Sequence, residues 1–126
     1  MTYSIVARCL ETGSTGVAST TGSLAVGGLC PYFTLEGDII VSQAYASPKA
    51  GVDIARLVAN GLGLKDISSQ LENLVDDLSY RQIAILRRAG ERMCYTGPDV
   101  VPWGGHLETS HSIVFGNALA GAGTLN

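Results

Sequence analysis

Thr2, directly after Met1, is the residue of this chain whose type and place best suit covalent chemistry. A threonine hydroxyl is a weak nucleophile until a base takes its proton. The α-amine of an N-terminal threonine can serve as that base, because its pKa lies near ~7.7–8.0. Removal of Met1 ahead of a small residue would expose that amine, so one residue would supply both nucleophile and base. Attack on an amide carbonyl would give an acyl-enzyme that water releases. The oxyanion formed on the way needs preorganised donors, and the side-chain amides of Gln43 and Asn117 are the candidates. The competing reading makes Thr2 a β-branched strand residue whose nitrogen stays acylated by Met1. Ser4 has no adjacent base and is the poorer nucleophile.

Other stretches offer binding rather than bond-breaking chemistry. In Pro102-Trp103-Gly104-Gly105-His106 a tryptophan beside two glycines can line a pocket, and histidine titrates near neutral pH when unperturbed. The alternative is a turn held by a packed Trp103. Arg81, with Gln82 at the start of a strand, can anchor a substrate carboxylate bidentately; an exposed ion pair is its commoner fate. His106-x-Glu108-x-x-His111 contains zinc-binding residue types. Its loop setting does not put two histidines one helical turn apart, and no cysteine follows at deaminase spacing. No metal and no other cofactor is expected. The spacing of Gly116 and Gly121 lacks the Lys-Ser/Thr pair of a phosphate loop. Asp66, Glu72, Asp76 and Asp77 read as a solvated helix face.

Periodicity supplies the elements that would position these residues. Thr2 to Arg8 and Gly16 to Thr21 form an opening hairpin around Glu11-Thr12-Gly13-Ser14-Thr15. Leu24 to Pro31, with Gly27-Gly28, reads as a buried, bent connection, and Gly37 to Tyr45 as a further strand. Val52, Ile54, Ala55, Val58 and Leu62 recur at helical spacing until Gly61 and Gly63. Ile67, Leu71, Leu74, Val75 and Leu78 make the stripe of a second helix. Gln82 to Leu86 and Arg92 to Thr96 form a second hairpin across Arg87-Arg88-Ala89-Gly90-Glu91. From Gly97 onward the chain is rich in loops, with one more short strand at Ser112 to Phe115. Strands and helices in blocks predict an α+β fold: antiparallel sheets with two helices packed on one face.

The bulk properties narrow the function classes. The 126 residues, 46% hydrophobic and 15% charged, suit a single domain spanning 1–126. A formal net charge of -3 with scattered basic residues argues against a nucleic-acid partner. No apolar run reaches the ~20 residues of a membrane helix, and Met1 to Val6 lacks the features of a secretory signal. A cytoplasmic location is expected. The 3 cysteines (Cys9, Cys30, Cys94) are widely spaced and odd in number, and read as ordinary buried thiols rather than reactive ones.

Several stretches resemble the domain-of-unknown-function-1028 family, a branch of the N-terminal-nucleophile (Ntn) hydrolase-like superfamily. They are Met1-Thr2-Tyr3-Ser4-Ile5-Val6-Ala7-Arg8 with Glu11-Thr12-Gly13, then Ala25-Val26-Gly27 followed by Val41-Ser42-Gln43-Ala44. Tyr80-Arg81-Gln82 continues the match. Tyr95-Thr96-Gly97, Pro102-Trp103-Gly104-Gly105-His106 and Gly116-Asn117-x-Leu119-x-Gly121 complete it. The resemblance implies a four-layer αββα sandwich whose first strand carries the reactive residue at its start. The chain departs from the family at Cys9, where an acidic residue is usual, and at Phe115, where glutamine is usual. Family members are also longer, so the sandwich is expected to be incomplete here. Open sheet edges and apolar faces would then call for a homo-oligomer or a second chain completing the fold. Two functions follow as expectations. One is hydrolysis of a carbon–nitrogen (amide) bond in a small-molecule substrate by Thr2, with Gln43, Arg81, Trp103, His106 and Asn117 as oxyanion or substrate contacts. The other is a non-catalytic structural or binding subunit of an oligomeric assembly.

Overall fold

The computed structural model describes every residue from Met1 to Asn126. In chain order the elements are β1 (Thr2–Arg8), β2 (Thr15–Thr21), α1 (Val26–Leu29), β3 (Pro31–Phe33), β4 (Ile39–Ala44), α2 (Pro48–Ala59) and α3 (Leu64–Leu74). They continue with β5 (Arg81–Leu86), β6 (Arg92–Thr96), β7 (Gly105–Glu108) and β8 (Ser112–Asn117). Short 3-10 turns cover Leu78–Tyr80 and Ala122–Leu125. Every strand pairing is antiparallel, in two four-stranded sheets of order β2-β1-β8-β7 and β3-β4-β5-β6.

Alternation along β1 sets the layers. Side chains of a strand point to its two faces in turn. Ser4 and Val6 are buried toward the second sheet, whereas Tyr3, Ile5 and Ala7 are only half-buried on the other face. Val6, Ile113 and Phe115 of the first sheet meet Ile39, Val41, Ala84 and Leu86 of the second. On its opposite face the second sheet presents Ile40, Ile83 and Ile85 to Ile54 and Val58 of α2 and to Ile67 and Leu71 of α3. The order is helices, sheet, sheet. The outer face of the first sheet carries a small cluster of Val114, Leu119 and Leu125, with Tyr3, Ile5 and Trp103 against it. No helix covers that face, and no helix is long and apolar enough to cross a membrane.

Local chemistry explains the helix bounds. The Ser47 side chain accepts from the Ala50 N–H at 3.2 Å and Pro48 opens α2, a conventional start. Gly51 lies inside that helix because a Cβ there would stand 2.0 Å from the Tyr32 ring. The stripe that predicts the second helix runs on to Leu78, but the helix stops at Leu74: Val75 is extended and Asp77 is left-handed.

Three expectations are corrected. Leu24 to Pro31 is not buried: Leu24 is 91% exposed, and of this stretch only Cys30 enters the core. Its two glycines form a four-residue helical turn at the margin of the sandwich, with no layer above it. Gly105–Glu108 is a strand rather than loop, and Pro31–Phe33, at the end of the expected connection, is one as well, because β8 and β4 supply their hydrogen-bonding partners. β8 also continues through Gly116 and Asn117, paired to the start of β1.

Candidate functional site

The space between the sheets changes character along its length. Apolar contacts fill one end; toward the start of β1 the inward positions are Thr2, Ser4, Gln43, Gln82, Thr96 and Asn117. Ser4, Gln43 and Gln82 are at most 1% exposed. Burying an amide without partners costs on the order of 1–3 kcal/mol, and here the partners are present. Ser4 Oγ donates to Gln43 Oε1 at 2.6 Å, and Gln43 Nε2 donates to Gln82 Oε1 at 3.0 Å. Asn117 Nδ2 donates to the same Gln82 Oε1 at 3.2 Å. Gln82 Nε2 faces the Gly116 and Gly105 carbonyls at 2.8 and 3.2 Å, and Thr96 Oγ1 at 3.2 Å.

These bonds fix the orientation of all three amides. Two main-chain carbonyls can only accept, so the edge of Gln82 facing them must be its NH2. Its carbonyl edge must then receive the NH2 groups of Gln43 and Asn117. Gln43 is left with Oε1 for the Ser4 hydroxyl, and Asn117 with Oδ1 free of any partner. Gln82 is the centre of the arrangement. The sequence marks it only as the start of a strand, since nothing local distinguishes a structural glutamine from an exposed one.

Thr2 sits beside this network. It pairs with Asn117 on one side of β1 and with Thr21 on the other. Residues directly opposite in an antiparallel ladder have Cβ atoms about 5 Å apart, so the Thr2 and Asn117 side chains start from adjacent positions on the inner face, although the Thr2 hydroxyl itself turns toward Thr21. The Thr21 hydroxyl donates to the Met1 carbonyl at 2.8 Å and lies 3.1 Å from Thr2 Oγ1, so it receives the Thr2 proton.

A cavity of about 490 Å³ opens at the same end, with Asn117, 6% exposed, at its floor. Tyr45, Tyr80 and Val101 wall it, and Asp77 and Asp99 stand exposed at its mouth. Sequence reasoning assigned none of these wall residues, because only the ends of β4, β5 and β8 bring them together. Ala44, Asp77 and Ala118, three of the four non-glycine residues with positive φ, lie in or next to this cavity at φ of 71°, 53° and 52°. Such conformations cost about 1–2 kcal/mol each and cluster where the chain must present a side chain.

Arg81 does not make the exposed ion pair considered for it. It is 6% exposed, and none of the four ion pairs includes it. Its guanidinium binds the carbonyls of Asp76 and Tyr45, which places it behind the cavity wall. Gly97 packs against the turn before β5: a Cβ there would stand 2.1 Å from the Ser79 carbonyl oxygen.

Trp103 and His106 line a second hollow of about 520 Å³, bounded by Pro98 and Pro102. The Trp103 ring covers Gly105, where a Cβ would come within 2.4 Å of it. His106 Nδ1 lies 2.9 Å from Thr96 Oγ1. Through Thr96 and Gln82 this exposed histidine is joined to the buried amides. The three residues weighed as metal ligands face different partners. Glu108 meets Arg92 at 3.7 Å, His111 Nδ1 lies 3.0 Å from Ser110 Oγ, and His106 is engaged with Thr96.

Two facing antiparallel sheets, helices on one of them and a buried amide cluster beside the opening strand define an α+β sandwich protein. The model of the family of unknown function DUF1028 matches residues 2–126, and the chain belongs to that family. The crystal structure of protein SPO2555 from Silicibacter pomeroyi, described under the same family model, is similar at a TM-score of 0.88 and 30% sequence identity. The similarity covers 98% of this chain and 58% of that one, so the chain spans little more than half the length of this relative. No curated protein matches.

Proposed function

We propose that this chain carries the nucleophile of a small-molecule amide hydrolase of the N-terminal-nucleophile type, with Thr2 as nucleophile and, once Met1 is removed, as base. The observation that carries this reading is the place of Thr2. It faces inward at the start of β1, directly opposite Asn117, whose amide is held by Gln82 and lines a cavity. The Thr2 hydroxyl would attack the amide carbonyl and pass its proton to the free α-amine. The second N–H of Asn117 Nδ2 would serve as a donor to the oxyanion that develops. Collapse would break the C–N bond, with the amine leaving on the proton held by the α-amine. Water, deprotonated by the same amine, would then hydrolyse the threonyl ester. Gln43 supports this arrangement from within the network, and Arg81 supports the cavity wall.

On this reading the helices and two sheets are three layers of an αββα sandwich. The fourth layer would cover Tyr3, Ile5 and Val114 on the bare face, supplied by further chain or by a partner. The test pairs intact mass with a β-lactone probe, which acylates an activated hydroxyl. Loss of Met1 and a probe adduct on Thr2, absent in Thr2→Ala and retained in Thr2→Ser, is the expected result. A protein that keeps Met1 and takes no adduct is instead a structural or binding subunit. The Thr21 hydrogen bond to the Met1 carbonyl favours that second reading.

A further inference from the structure

The cavity floored by Asn117, the strand partner of Thr2, has a chemistry of its own. Its walls include the rings of Tyr45 and Tyr80, and its mouth the carboxylates of Asp77 and Asp99. Neither carboxylate is spent inside the molecule: the ion pairs of the chain are made by Asp53, Glu91 and Glu108. The Asn117 amide is nine-tenths buried, bonded through Nδ2 and free at Oδ1, which is an acceptor. Only Arg87 Nε and Arg92 Nε are buried polar side-chain atoms without a partner, so Asn117 Oδ1 is accessible, and the residue lines this cavity. The one cation nearby, the Arg81 guanidinium, is already held by two carbonyls and the Tyr45 ring. Aromatic faces, unpaired carboxylates and a buried acceptor all favour a ligand with positive charge and N–H donors. An anionic ligand would meet two like charges without a free cation to receive it.

We infer that the cavity lined by Tyr45, Tyr80, Asp77, Asp99 and Asn117 binds a cationic group, a primary ammonium, and that the substrates hydrolysed at Thr2 are amides bearing one. The substrate clause rests on the hydrolase reading; the binding clause does not. Asn117 Oδ1 takes one N–H of the ammonium, the tyrosine rings flank its alkyl stem, and Asp77 with Asp99 draws the charge into the mouth. The amide to be cleaved then lies toward β1.

The experiment separates the two clauses by measuring binding in the Thr2→Ala variant of the full chain. Benzylamine, protonated at neutral pH, is titrated alongside benzyl alcohol and benzoate of similar size, and amide chemical shifts of Ala44, Tyr45, Tyr80 and Asp99 are followed by NMR. Saturable shifts at millimolar benzylamine, with neither of the other probes matching it, are expected. Asp77→Asn with Asp99→Asn weakens benzylamine about tenfold, and added salt weakens it as well. Equal or tighter binding of benzoate or benzyl alcohol, no saturable binding of benzylamine, or no change in the double variant overturns the inference. If benzylamine binds as expected while Thr2 takes no β-lactone adduct in the wild type, the cation site stands and the hydrolase reading falls.

Discussion

The guanidinium of Arg81 is attached twice to Tyr45: it donates to that residue's carbonyl, and its carbon lies 4.7 Å from the ring centroid. Its Nε donates to the Asp76 carbonyl at 2.6 Å, so one side chain ties the end of β4 to the segment ahead of β5. Arg81→Met leaves both carbonyls without this donor and should cost about 2 kcal/mol in urea unfolding at unchanged m. Arg81→Lys should recover only part, because one ammonium lacks the planar fork and the stacking face. Full stability in Arg81→Met would show that the contact is incidental.

Gln82 provides a sharper test of the amide network. Gln82→Glu keeps an acceptor toward Gln43 and Asn117 but turns an oxygen onto the Gly105 and Gly116 carbonyls. Burial among acceptors favours the protonated acid, raising its folded pKa above the unfolded value of about 4.3. The variant is therefore least destabilised below that value and loses stability as the pH rises toward its folded pKa. Unfolding midpoints at pH 4.5 and pH 8, each referenced to wild type at the same pH, measure this. A pH-independent difference would mean the amide orientations are not those deduced.

Glycine at the left-handed alanines should stabilise the fold. Relief of about 1–2 kcal/mol per residue exceeds the unfolded-chain entropy of about 0.4–1 kcal/mol that glycine adds. Ala44→Gly and Ala118→Gly should each gain about 0.5–1 kcal/mol, whereas Ala7→Gly within β1 should lose stability. Thermal melts of the three variants settle the ordering, and a loss at both Ala44 and Ala118 would contradict their backbone conformations.

Cys9 is exposed, not buried as its sequence setting suggests, and should be the reactive thiol. The Thr12 side-chain hydrogen bond, Thr12 and Glu11 backbone hydrogen bonds and the nearby Arg8 charge pull its pKa below the ordinary thiol value. Burial pushes Cys30 and, more strongly, Cys94 upward. At neutral pH iodoacetamide should label Cys9 first, with Cys30 and Cys94 protected until the protein unfolds; peptide mapping reads the order. Faster labelling of Cys94 would place it outside the sandwich.

Hydrophobic periodicity made the two main helices and the long strands legible, because their cores repeat every 3.6 or 2 residues, as at Ile54 and Val58 or Ile39 and Val41. It missed β3 and β7, three and four residues long, whose pairing is supplied by neighbours rather than by their own sequence. Thr2, Gln43 and Asn117 were picked as chemical groups, and the fold does bring their strands to one end. Ser4 reads in sequence only as a poorer nucleophile and Gln82 only as the neighbour of Arg81, and Thr96 suggests no role, since a buried polar residue within a strand looks like an exposed one. Of the cavity residues, Asp77 reads in sequence only as part of a solvated helix face and Tyr80 only as part of a family stretch, while Tyr45 and Asp99 carry no pattern. Tyr45, Tyr80 and Asp77 converge through left-handed turns after β4 and before β5, and Asp99 joins them from the loop after β6; long-range geometry of that kind has no local signature.

The cross-sheet bonds from Ser4 to Gln43 and from Gln82 to the Gly105 and Gly116 carbonyls also act as a vernier. Greasy surfaces alone let two sheets glide past each other at little cost, whereas directional bonds with lengths near 3 Å permit a single offset. The opening strand is thereby indexed against the opposite layer, and any chemistry at its tip inherits that alignment.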